Sequence, residues 1–188
     1  MFFGSPTVIV RAKRSVLELY LPPKNQFYKL ELPQNVISFL DVVNEDYIVK
    51  YILDFLIKLN KKSANVDLVM DSEVVFKKTI AKTNEQADKI SIEEFFANIP
   101  IDPANIARKT LFSNNQHFLY ATNRVYYSSI IRAFAKYGWR VNYVAPLNIF
   151  GFNSQNQVLD DANLKFIRKS KKLAYKINFL DIDKPKTG

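Results

Sequence analysis

The sequence predicts an α/β domain on a mixed sheet, with an antiparallel opening meander and a strand-helix-strand crossover. Three observations predict it: period-two alternation from Val8 to Leu32 broken at Pro22-Pro23, a long amphipathic helix after Asn44, and a strand, helix and strand in close succession from Gln116 to Ala145. In the first stretch, Val8-Ile9-Val10 and Ser15 to Leu21 read as strands. The second places Val16 and Glu18 on one face and Leu17, Leu19 and Leu21 on the other. Gln26 to Leu32 alternates Phe27, Lys29 and Glu31 with Tyr28, Leu30 and Leu32, which makes it the third antiparallel strand.

Asn44 is a helix cap, followed by Glu45 and Asp46 at the positive end of the dipole, and the helix body runs from Tyr47 to about Lys61. Ile48, Ile52, Phe55, Leu56 and Leu59 form its apolar stripe, widened by Val49, Leu53 and Ile57, so it is expected to be covered on more than one side. Asn65 to Met70 and Glu73 to Ile80 read as strands. Lys77 to Lys89 is polar and reads as a surface connection, after which Ser91 starts a short helix through Asn98 with Phe95 and Phe96 facing inward. Ile106 to Phe112 and Gln116 to Thr122 flank Ser113-Asn114-Asn115, a hairpin signal because asparagine tolerates positive φ. Asn123 then caps a helix from Arg124 to Tyr137, Gly138 fits the left-handed position past its end, and Trp139 to Ala145 is extended. This close succession implies a right-handed parallel crossover. Phe152 to Gln157 reads as a polar loop and Asp160 to Arg168 as two or three helical turns carrying Leu164, Phe166 and Ile167. Domain packing is expected to end near Ser170, giving a body over 1–170 and a basic tail over 171–188.

Composition narrows the chemistry. With 188 residues, 48% hydrophobic and 24% charged, the chain has enough apolar mass for a core. No cysteine and four glycines exclude disulfide scaffolds, thiolate zinc sites, cysteine nucleophiles and a glycine-rich phosphate loop. No apolar run reaches the roughly 18 residues that cross a bilayer, and the start lacks a signal-peptide pattern, so the chain as written is expected to be soluble. The net charge of +9 is concentrated at the ends: five basic residues against one acidic from Val8 to Lys29, and eight against two from Ala162 to Gly188. The rest is close to neutral, which argues for a local electrostatic contact at one edge or tail.

Sites for catalysis are few. His117 is the sole histidine and reads as a polar strand residue, which excludes a histidine metal cluster. Asp67 and Asp71 lie four apart on a strand and its end, a placement used by two-metal nucleases, but Asp67 shares its face with Val69 and no third carboxylate joins them. Asp160-Asp161 reads as a helix cap, and Gly4, Gly138, Gly151 and Gly188 are not placed to build a phosphate nest, so nucleotide hydrolysis is not expected. Most aromatics, such as Phe55, Phe95, Tyr127 and Phe134, fall on inward stripes, which leaves few for base stacking. The run from Lys165 to Lys176 holds Lys165, Arg168, Lys169, Lys171, Lys172 and Lys176 with no acidic residue, and Ile177-Asn178-Phe179-Leu180 follows as a short apolar island. The six cations suit an anionic membrane surface, and the island suits docking to a partner.

The strands around Ser15-Val16-Leu17-Glu18-Leu19, the long helix, and the segment from Tyr120-Ala121-Thr122-Asn123 to Trp139-Arg140-Val141 together resemble a reduced actin-like, ribonuclease H-like domain over roughly residues 8 to 150. The families concerned are the type IV pilus assembly protein PilM and the cytoplasmic domain of the type II secretion protein GspL. In the pilus family the first hairpin holds nucleotide phosphates. Here Ser15, Val16 and Leu19 match its motif, while Arg11, Ala12, Lys13 and Arg14 stand where its acidic and glycine residues would be. That implies a scaffold without a cofactor rather than an enzyme. Lys176-Ile177-Asn178-Phe179-Leu180 resembles the segment with which the pilus membrane protein PilN enters a PilM groove, with Asp181 departing from that family's proline.

The resemblance thus implies a cytoplasmic assembly protein at the inner face of the cell membrane, in a pilus or secretion platform. Ile177, Asn178, Phe179 and Leu180 would dock into a groove in cis, on another copy or on a partner, and the resemblance implies a natural chain that continues into a membrane span. The alternative is a nucleic-acid-binding protein using the basic terminal segments. A third reading, a divergent nuclease, would require metal-dependent cleavage that is lost on Asp67→Asn.

Overall fold

The computed structural model describes residues 6–34, 37–38, 41–152 and 158–182. Strands β1 (Thr7–Ala12), β2 (Val16–Leu21) and β3 (Gln26–Glu31) form the expected meander. A small ribbon of β4 (Ile37–Ser38) and β5 (Asp41–Val42) leads into helix α1 (Glu45–Leu59), where the Asn44 side chain accepts from the Tyr47 amide at 3.0 Å. The chain continues through β6 (Asn65–Met70), β7 (Val75–Ala81), α2 (Glu85–Ala97), β8 (Ile106–Ser113), β9 (Gln116–Asn123), α3 (Arg124–Tyr137) and β10 (Arg140–Pro146). It then closes on α4 (Asp161–Lys169), α5 (Lys171–Lys176) and a 3-10 turn, Phe179–Ile182.

The main sheet has the order β10-β6-β1-β2-β3. β1, β6 and β10 run parallel, and β2 and β3 are antiparallel additions, so the sheet is mixed as predicted. Strict alternation divides its side chains. Val8, Val10, Leu17, Leu19, Val66, Leu68 and Val144 enter the larger core beneath α1 and α3. Ile9, Tyr20, Val69, Tyr143 and Ala145 face the other way and meet Leu164, Ile167 and Ala174 of α4 and α5. The same second face also carries Arg11, Glu18, Asp67 and Asp71, all buried. A second sheet, β7-β9-β8, is antiparallel, and its β8-β9 turn is the predicted hairpin, with Asn114 and Asn115 at φ 51° and 58°.

Three expectations change. The crossover through α3 does not join neighbouring strands: β9 belongs to the small sheet and β10 pairs parallel with β6 in the large one. Short-range succession cannot reveal this, because the alternation of β9 and β10 fits either sheet. The stretch over Lys77 to Lys89 is not a surface connection; β7 runs to Ala81, and Asn84 caps α2 by accepting from the Ala87 amide at 2.9 Å. The weak amphipathicity of α2 hid its first two turns. Packing also does not end at Ser170, because α5 and the segment after it are part of the body. Residues 153–157, within the expected polar loop, and 183–188, the end of the expected tail, lie outside the described residues. Among the described residues no helix is long and apolar enough to cross a membrane.

Candidate functional site

Open α/β sheets bind ligands beyond the carboxyl ends of their parallel strands, where the strand order reverses. In this sheet that point lies at the ends of β1 and β6. Arg11 is fully buried there and donates from Nε to Asp71 Oδ2 at 2.7 Å, with a second guanidinium nitrogen 2.6 Å from the same oxygen. Glu18, directly opposite Arg11 on β2, lies 3.3 Å from its third nitrogen. Glu18 also receives the Lys13 ammonium at 2.8 Å and the Tyr20 hydroxyl at 2.9 Å. Burial, reinforced by the Glu18 charge, pushes the Tyr20 hydroxyl well above the usual tyrosine range and keeps it a donor.

The β1-β2 turn is spent on internal contacts. The Lys13 amide bonds the Val16 carbonyl at 2.9 Å, the Arg14 amide reaches Glu73 at 3.3 Å, and the Tyr126 hydroxyl from α3 donates to the Lys13 carbonyl. A phosphate at this turn would need those amides and would face Glu18 and Glu73. What the arrangement does is lock the ends of β1, β2 and β6 together through a desolvated ion network.

Asp67 and Asp71 do share one face of β6, but four residues at 3.3 Å each separate them by roughly 13 Å, too far to share an ion. Asp67 Oδ1 instead accepts from Asn142 at 2.7 Å, and Oδ2 lies 3.3 Å from Lys171. Tyr143 is held in its neutral form by burial first and by the Asp67 charge second. Among the described residues no three His, Asp or Glu side chains gather as a metal site.

The Lys171 contact begins the second candidate site, at the outer edge of β10. Sequence reasoning put Ile177, Asn178, Phe179 and Leu180 on a tail outside the core. In the structure Ile177, Asn178 and Phe179 are buried and Leu180 is half-buried, all within this chain's own body. Asn178 Oδ1 accepts from the Val144 amide of β10 at 2.9 Å and from the Leu180 amide at 3.1 Å. Phe179 stacks on Tyr127 of α3 with ring centres 6.1 Å apart. The apolar island was read correctly, but its distance from the core was not: the intervening α5 doubles back on the sheet, with Ala174 buried against it. The basic residues divide accordingly. Lys165, Lys169, Lys172 and Lys176 are exposed, whereas Lys171 pairs with Asp67 and Arg168 donates to Asn25 at 2.7 Å.

A third grouping was missed. His117 of β9 lies 3.2 Å from Asp88 of α2, beside a cleft of about 490 Å³ that Lys82, Lys89 and Ile92 also line. Asp88 takes the Thr83 amide at 3.0 Å and the Thr83 hydroxyl at 2.8 Å. The Thr83 amide first, and His117 after it, hold the Asp88 carboxyl below the usual aspartate range. A depressed carboxylate pKa stabilises the fold above the unfolded value, and the gain is lost as pH falls through the folded one. Asp88→Asn is therefore expected to lower the urea midpoint at pH 7, with the gap to the parent closing as pH falls through and below the ordinary aspartate range. A gap that stays constant across that range would show that the pair is not linked to folding.

No family model matches the sequence, and no curated protein matches it. Solved structures do resemble it. A chain of the PilM-PilN type IV pilus biogenesis complex superposes with a TM-score of 0.53 at 12% identity, over 78% of this chain and 48% of that one. The cytoplasmic domain of EpsL, an inner-membrane component of the type II secretion system of Vibrio cholerae, gives 0.47 at 9% identity, over 78% and 59%. A Bacteroides thetaiotaomicron protein with an actin-like ATPase fold and unknown function gives 0.42 at 12%, over 77% and 52%. The chain spans about half the length of these structures. At such identities the likeness is one of fold, and the fold expected from the sequence, a mixed-sheet α/β domain like that in the pilus complex, is the one this chain has.

Proposed function

We propose that this chain is a non-enzymatic scaffold of a type IV pilus or type II secretion inner-membrane platform, working at the cytoplasmic face by binding an extended apolar segment of a partner or of another copy. The observation that supports the reading is the seat of Asn178 and Phe179: the chain's own apolar segment lies along the edge of β10, between α3 and β8, where an equivalent segment of a partner or of another copy would bind. Two further points support it. The fold is shared with a chain of a pilus biogenesis complex, and the turn that would grip phosphate is spent on the Val16 carbonyl, Glu73 and the Tyr126 hydroxyl.

A groove occupied in cis binds a competing segment only in the fraction of time that the cis segment is out. A fluorescent peptide of residues 174–182 is therefore expected to bind the Asn178→Ala chain more tightly than the parent, as read by anisotropy. Its affinity should hardly change with salt. If neither form takes up the peptide, the groove reading fails. Mg-ATP titrated into the parent in a calorimeter is expected to give no binding heat, and heat with turnover would replace the scaffold by an ATPase. The alternative, nucleic-acid binding through the basic segments, predicts a steep linear fall of log affinity with log salt for an oligonucleotide.

A further inference from the structure

The layer formed by α4 and α5 has an outer surface of unusual composition. Both helices lie on the same face of the large sheet and turn Leu164, Ile167 and Ala174 into its core, so their opposite sides look outward together. That outward surface carries Lys165, Lys169, Lys172 and Lys176, all exposed; Asp160 and Asp161 are exposed at the start of α4, and from Ala162 to Leu180 there is no further acidic residue. Large apolar side chains stand between the lysines: Phe166 is 45% exposed, Leu173 36%, Tyr175 50%, and Val158 just before α4 is 54%. Neither helix is loosely attached. Asp160 and Asn163 form a capping box at the start of α4, and Lys171 pins α5 to the buried Asp67.

Exposed apolar side chains spaced among lysines are the composition of an interfacial membrane surface, where the ammonium groups reach lipid phosphates and the rings and aliphatic groups enter the headgroup boundary. From this we infer that the outer face of α4 and α5 docks on an anionic lipid bilayer. Nucleic acid fits the same charge less well. Leu173 and Val158 cannot stack on bases, and Arg168, the one guanidinium of the run, is turned inward to Asn25. The inference deepens the platform reading and rests on it for a membrane within reach.

The test is sedimentation of the full chain with phosphatidylcholine vesicles, with and without phosphatidylglycerol. Binding is expected only to the anionic vesicles. Removing one lysine charge, as in Lys169→Gln or Lys172→Gln, should weaken it roughly fivefold, and both changes together roughly thirtyfold. Phe166→Ser removes an edge contact with Phe152 and so lowers the thermal midpoint slightly, but it should weaken vesicle binding at every salt concentration while leaving any binding of the folded chain to a single-stranded oligonucleotide unchanged. The proposal is overturned if anionic vesicles leave the chain in the supernatant, if the lysine variants bind like the parent, or if Phe166→Ser has no effect. The last result, with oligonucleotide binding that responds to the lysines, would make this a nucleic-acid surface. Peptide uptake at the β10 groove with vesicle binding absent would sink only the membrane surface; vesicle binding with peptide uptake absent would sink the groove and leave the surface standing.

Discussion

Phe179→Ala is expected to cost about 3–5 kcal/mol of unfolding free energy, the range for removing a fully buried aromatic ring from a close-packed core. Phe179 has no solvent exposure, stacks on Tyr127, and belongs to the cluster that holds α1 and α3 on the sheet. Its loss would open a void between α3 and the end of β10 that the surrounding rings cannot fill by small adjustments. The measurement is urea denaturation followed by circular dichroism, with Leu180→Ala as the comparison. Leu180 is half-buried at the rim, so its truncation should cost clearly less. A free tail predicts the opposite pattern, with both variants matching the parent. An unchanged midpoint for Phe179→Ala would remove the cis seat and with it the evidence for a groove.

That contrast marks where sequence reading reaches and where it stops. The meander, the Asn44 and Asn123 caps, the Asn114-Asn115 turn and Gly138 were all legible, because each is set by residues within a few positions of one another. The apolar character of the island at 177–180 was legible too. Its burial was not, since it depends on α5 returning across the sheet to bring Asn178 within reach of the Val144 amide. Likewise Arg11, Glu18 and Asp71 each look like surface charges in sequence. They become one buried network only when β1 sits between β2 and β6, and a pairing of that range leaves no periodic trace. His117 and Asp88 meet for the same reason, through the packing of α2 on the small sheet.

Arg11→Met is the second large effect expected, about 3–5 kcal/mol, because it leaves the fully buried Asp71 without its counter-charge and takes from Glu18 one of its two cations. The cost does not measure the value of the ion pair. Desolvating a guanidinium and two carboxylates offsets most of their attraction, so removing the charges together should hurt much less than removing one. A double-mutant cycle separates the two quantities: Arg11→Met and Asp71→Leu are each expected to be strongly destabilising, while the double variant recovers a large part of the loss. Glu18 keeps Lys13 and the Tyr20 hydroxyl in that variant, so its charge is not stranded. Strict additivity would mean that Arg11 and Asp71 do not act as a unit and that the strand ends are held by packing alone. Strong coupling would fix the role of this network as an internal clamp at the position where the sheet's topology favours a ligand, which is what the proposed scaffold role requires.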